Sequence, residues 1–127
     1  MSFSLGKQER LKSKKLIGEL FTKGKSLKAF PLRMVYLQTE HTSNYPAQVA
    51  VSVPKRNFKK AVDRNKIKRL LRESYRLEKQ IVYSNLEKPY VFMISYLAKD
   101  EWSYEDIQKK MIILLNKLIE EIKKNEK

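Results

Sequence analysis

The sequence predicts an α+β fold, a two-layer sandwich over a small sheet, with its elements in the order αββαβα. Three observations support this. Three segments repeat their apolar residues at helical spacing, and three short runs are rich in aliphatic, β-branched and aromatic residues. The 127 residues show no internal repeat or low-complexity tract, so one domain, residues 1–127, holds all six elements.

About residues 1–12 are polar and basic and read as an extended or mobile N-terminal arm. SKKLIGELFTKG, residues 13–24, follows as the first helix. Leu16, Ile17, Leu20 and Phe21 share one side, Ser13 can cap the start, and Gly24 can supply a left-handed stop. AFPLRMVYLQ (29–38) and AQVAVSV (47–53) read as two strands, with EHTSNYP as the turn chemistry between them; the simplest pairing is a hairpin. The first of these strands is apolar on both faces. Leu32, Met34 and Tyr36 point one way, Val35 and Leu37 the other. Such a strand expects cover on both faces, or a groove on one.

Pro54 ends the second strand, the basic loop KRNFKK follows, and a helix runs over roughly 60–78. YVFMISY (90–96) is the third strand. The last helix spans about 104–123, with Ser103 at its start and Ile107, Met111, Leu114, Leu115, Leu118 and Ile122 as its core stripe. Trp102 reads as a packing anchor before it.

Composition narrows the function. There is no cysteine, which excludes disulfides, thiol nucleophiles and thiolate-held metals. The single histidine, His41, lies among turn residues and reads as inert. Asp63 and Glu73 are ten residues apart on different helix faces and do not make a metal site. The start has no apolar signal-peptide region, and no apolar run approaches membrane-spanning length. Against 14 acids stand 28 Lys+Arg, a formal +14. A compact chain so charged repels itself unless a polyanion, either nucleic acid or an anionic membrane surface, absorbs the charge.

The charge is concentrated at residues 64–76, RNKIKRLLRESYR, which hold one acid, Glu73. On a helical wheel Ile67, Leu70, Leu71, Ser74 and Tyr75 form the core face. Asn65, Lys68, Arg69, Arg72 and Arg76 occupy the neighbouring arc, with Arg64 at its seam; Lys66 and Glu73 lie on the far side. An ordinary solvated face would carry acids at i±4. This one is a ladder of cations rich in arginine, whose planar fork suits phosphates and stacked bases.

AVDRNKIKRLLRESYR resembles the signature helix of the bacterial ribonuclease P protein component: Arg64, Asn65, Lys66, Ile67, Lys68, Arg69 and, three residues on, Arg72. VAVSVPKR resembles the strand and basic loop before it; RLK near the start and LFTKG resemble the first helix. The likeness covers about residues 10–120. Two positions depart from it: Lys66 stands where the family most often has Arg, and Ile17 where an aromatic residue is common.

The resemblance implies an αββαβα sandwich with a small mixed sheet, similar to a ribosomal-protein and elongation-factor domain, containing a left-handed βαβ crossover. It implies a cytoplasmic protein that joins a catalytic RNA in removing the 5′ leader from precursor tRNA. The RNA holds the Mg²⁺ ions and cuts; no membrane and no protein partner is required. Carried over by position, Arg64, Asn65, Lys66, Lys68, Arg69, Arg72 and Arg76 contact the RNA, with Lys55 and Arg56 extending that surface. Phe21, Tyr36, Ile17 and Met34 line the leader cleft, the aromatic rings stacking on unpaired bases.

The alternative is a structural rRNA-binding protein, which composition alone does not separate from this reading. A self-sufficient nuclease would need a histidine pair or clustered carboxylates, and neither is present. A DNA reader would want its recognition helix in a helix-turn-helix or similar frame, whereas strands flank this one.

Overall fold

The computed structural model describes residues 5–41 and 44–125. The expected arm therefore falls partly outside the described residues, at 1–4, as does part of the expected turn, at 42–43.

A short 3-10 turn, Lys7–Glu9, opens the described chain. The elements then run α1 (Lys14–Lys23), β1 (Lys25–Ala29), β2 (Leu32–Gln38), β3 (Ala47–Ser52), α2 (Ala61–Glu78), α3 (Gln80–Tyr83), β4 (Tyr90–Tyr96) and α4 (Tyr104–Asn125). The three long helices stand where periodicity puts them. Ser13 caps α1 by accepting the Leu16 N–H (3.2 Å), and Ser103 caps α4 by accepting the Asp106 N–H (3.2 Å).

The strands form one mixed sheet in the order β1-β2-β4-β3. This corrects the expected hairpin. The strands at 32–38 and 47–52 do not pair; β4 lies between them, antiparallel to β2 and parallel to β3. β3, α2, α3 and β4 thus make a parallel βαβ unit. The real hairpin joins β1 to β2 through a turn with a cis Phe30–Pro31 bond. β1 was not expected. Its residues KSLKA bury only Ala29, so it lacks the alternation that reveals a half-buried strand.

Two apolar clusters lie on opposite faces of the sheet. Leu32, Met34, Tyr36, Phe92, Ile94, Tyr96 and Val49 pack against α2 and α4, which contribute Ile67, Leu71, Tyr75 and the full core stripe of α4. On the other face, Leu11, Leu20 and Val91 are buried, with Leu16, Ile17, Val35, Leu37, Ala50 and Met93 half-buried around them. One ten-residue helix, α1, serves that second face and leaves part of it open.

Gly24 ends α1, but its φ of −70° is not left-handed. It is small for a different reason. A Cβ there would sit 2.3 Å from the Leu20 carbonyl oxygen and 2.7 Å from Val35 Cγ1. The chain can turn from α1 into β1 only if this position carries no side chain.

Residues 5–12 are not a free arm. Leu5 and Leu11 are buried, Arg10 bridges Val49 in parallel, and the Leu11 N–H donates to the Val49 carbonyl at 2.9 Å. Gln48 Nε2 adds a bond to the Gln8 carbonyl at 3.1 Å. The segment thus covers the outer edge of β3, which would otherwise present unpaired backbone groups. No helix among the described residues is long and apolar enough to cross a membrane.

Candidate nucleic-acid interface

The ladder belongs to α2, whose opposite side is fixed in the core by Ile67, Leu71, Ser74 and Tyr75. Rigid burial on one side holds the cations of the neighbouring side in register. Asn65 and Arg69 are exposed, and Lys68, Arg72 and Arg76 are half-buried beside them. Burial, followed by the charge of Arg10, lowers the Arg72 pKa. Arg76 donates from Nε to Glu73 Oε2 at 3.0 Å, and its second bond to that carboxylate is shorter still. Glu73 therefore neutralises Arg76, and among the described residues no carboxylate pairs with Lys68, Arg69 or Arg72.

Two expected contacts are placed differently. Arg64 Nη1 donates to the carbonyls of Phe58 and Lys59, both at 2.8 Å, so this guanidinium fixes the loop before α2. Asn57 Nδ2 holds the same loop to the Leu97 carbonyl at 3.2 Å, and the Phe58 ring lies 6.0 Å from that of Tyr96. Lys55 and Arg56 are exposed on this anchored loop. Lys66 pairs with Glu101 at 3.2 Å, on the side away from the row.

Sequence reasoning missed Arg10. Its side chain lines a cleft of about 510 Å³ together with Arg69, Arg72, Arg76, Glu73, Leu5 and Leu70. It also lines a second cleft of about 560 Å³, among Lys7, Lys12 and the start of α1. Reading residues 1–12 as an arm hid it. The only signal was the RLK triplet, which says nothing about where the chain docks.

The four residues expected in the leader cleft are not brought together. Met34 is 0% exposed and Tyr36 5%, and both face α4 rather than α1. The physical reason is the two-residue period of a strand. Val35 and Leu37 take the α1 face, so Met34 and Tyr36 must take the other. Burial and the nearby Glu121 of α4 raise the Tyr36 pKa. Ile17 does lie on the α1 face, half-buried, and Phe21 one turn later is 62% exposed.

Strand register supplies the rest of that face. Val35 pairs with Met93 and Arg33 with Ser95 across β2 and β4; Met93 pairs with Ala50 and Ser95 with Ser52 across β4 and β3. The result is an apolar strip of Val35, Met93 and Ala50 running into a polar end of Arg33, Ser95 and Ser52. Among the described residues, no group of three or more His, Cys, Asp or Glu could hold a metal.

Fold and surface together define a small α+β protein with a one-sided cationic helix and a half-open sheet face. Residues 5–119 match the model of the Ribonuclease P family, and the chain belongs to that family. It is 41% identical over 92 residues to the ribonuclease P protein component of Porphyromonas gingivalis, covering 72% of this chain and 66% of that protein. With the component from Chlorobium phaeobacteroides it shares 45% over 84 residues, covering 64% of this chain and 58% of the relative. The chain thus spans about three-fifths to two-thirds of these relatives. A component from Clostridium botulinum is 30% identical over 112 residues, 87% of this chain and 95% of its own.

Among solved structures, the RNase P protein from Thermotoga maritima superposes with a TM-score of 0.69 at 23% identity, covering 86% of this chain and 96% of that one. The Staphylococcus aureus RNase P protein gives 0.67 at 24%, covering 85% and 93%. At that identity these two matches speak for the fold alone. The matches favour ribonuclease P over the structural ribosomal alternative.

Proposed function

We propose that the chain is the protein subunit of ribonuclease P, holding the catalytic RNA and the 5′ leader of precursor tRNA while the RNA performs the hydrolysis. The observation that carries this reading is the uncompensated cationic row of α2 in a chain that matches the Ribonuclease P family over residues 5–119. Asn65, Lys68, Arg69 and Arg72 face the catalytic RNA, with Arg76 at the end of the row. Lys55 and Arg56 extend the contact from a loop that Arg64 holds in place. Arginine forks take phosphate oxygens in pairs, and the rigid helix arrives already ordered, so little side-chain freedom is lost on docking.

The leader lies on the sheet face beside α1. Phe21 offers an exposed ring for stacking, Val35, Met93 and Ala50 make an apolar floor, and Arg33 meets phosphates at the far end. Stacking of this kind tolerates any base, which suits leaders of differing sequence. Mg²⁺ and the attack on the scissile phosphate belong to the RNA; this chain contributes position and charge.

The test is to add the purified chain to a bacterial ribonuclease P RNA at low Mg²⁺ and follow cleavage of precursor tRNA. Acceleration is expected with the RNA present, and no cleavage by the protein alone. An unchanged rate would sink the proposal.

A further inference from the structure

We infer that the buried ion pair of Glu9 and Lys79 is a clamp that positions Arg10 as an additional phosphate-binding residue joining two cationic clefts. This rests on the RNA-binding role proposed above. Glu9 and Lys79 are 70 residues apart, yet Glu9 is 2% exposed and Lys79 8%. Lys79 Nζ donates to Glu9 Oε1 at 3.1 Å and to Oε2 at 2.8 Å. The Tyr83 hydroxyl donates to the same carboxylate, and the Gly6 N–H does so at 3.2 Å. A buried pair of this kind is often no more stable than two apolar side chains of the same volume. What it adds is a fixed geometry.

The residue it fixes is its neighbour. Arg10 is exposed, but its backbone is held against Val49. On one side it completes a ring with Arg69, Arg72 and Arg76 around an apolar floor of Leu5 and Leu70. On the other it stands beside Lys7 and Lys12. Each cleft includes one carboxylate, Glu73 or Glu40, and Glu73 is already bonded to Arg76. The guanidinium groups of Arg10, Arg69 and Arg72 around that cleft repel each other until a polyanion enters. Because Arg10 belongs to both clefts, a phosphate backbone following α2 can continue onto the N-terminal segment without a gap in countercharge.

The experiment measures binding of a bacterial ribonuclease P RNA across a salt series. Arg10→Ala changes an exposed side chain, and should lower the slope of log affinity against log salt by about 0.7 to 0.9, one phosphate's worth. Tyr83→Phe removes one donor from Glu9 and is mild enough to fold. It should weaken binding severalfold, speed hydrogen exchange at the Leu11 N–H, and have no further effect on binding once Arg10 is Ala. An unchanged slope in Arg10→Ala, or effects of the two variants that simply add, would overturn the inference. Arg69→Ala with Arg72→Ala serves as the control. If that pair weakens binding while Arg10→Ala does not, only the clamp is wrong; if the pair also binds normally, the RNA-binding role itself falls.

Discussion

Phe21 and Tyr36 show how two aromatic side chains with similar expectations part company in the fold. Both are candidates for stacking on a leader base from sequence alone. Which face a ring takes depends on the phase of its strand or helix relative to two packed layers. A single strand that is apolar on both sides does not give that phase away. Tyr36 is core, so Tyr36→Ala should cost about 3–5 kcal/mol, as large aromatic truncations do, and lower the urea midpoint accordingly. Phe21→Ala should leave stability within about 0.5 kcal/mol, because the ring is mostly in solvent. It should instead weaken binding of precursor tRNA with an unpaired leader by about 1–3 kcal/mol, the usual worth of one base stack. A leaderless tRNA should bind both forms of the holoenzyme equally.

The three long helices were legible because each buries one stripe, and a stripe repeats every three to four residues; the four-residue α3 is too short to show one. The α2 ladder was legible for the same reason, since a buried arc fixes where the exposed arc must lie. Strand pairing was not. β2 finds its partner in β4 more than fifty residues later, and nothing local in either segment encodes that choice. β1 escaped because an edge strand rich in lysine carries no alternation, though the lysines have a purpose in blunting an exposed edge. The Glu9–Lys79 contact was equally hidden, as two charges 70 residues apart look solvated until the chain folds. The ladder has its own test. Replacing Arg69 and Arg72 together by Ala should leave the circular dichroism spectrum intact. It should flatten the salt dependence of RNA binding by up to roughly two phosphates' worth, about 1.8 in log–log slope. Assembly that survives this double change would remove α2 from the interface.

A formal charge of +14 makes the fold itself sensitive to solution conditions. Removing Lys79 would leave the Glu9 carboxylate buried and unpaired, a change that typically costs about 3–5 kcal/mol. Burial pushes the Glu9 pKa up, but hydrogen bonds from Lys79, Tyr83 and Gly6 outweigh it and hold the group below its ordinary 4.5. A carboxylate depressed in the folded state stabilises the protein fully above its unfolded pKa and loses that contribution as pH falls through the folded one. Glu9→Gln should therefore destabilise the protein clearly at neutral pH, and the gap from the parent should narrow as the pH falls below the ordinary carboxylate range. Urea titrations of both proteins at several pH values would measure this; a gap that stays constant or widens in acid would show that Glu9 does not carry the effect.

The central place of β4 also bears on synthesis. A chain emerging from the ribosome makes the β1–β2 hairpin and β3 early, yet β2 and β3 both wait for the neighbour they share, β4, until residues 90–96 have cleared the exit tunnel. Until then the nascent protein exposes two open strand edges together with the arginine-rich helix, beside the RNA of the ribosome itself. Fragments that stop before Tyr90 should therefore fail to fold and should cling to RNA indiscriminately, so that selectivity is acquired only when the last strand slides into the middle of the sheet.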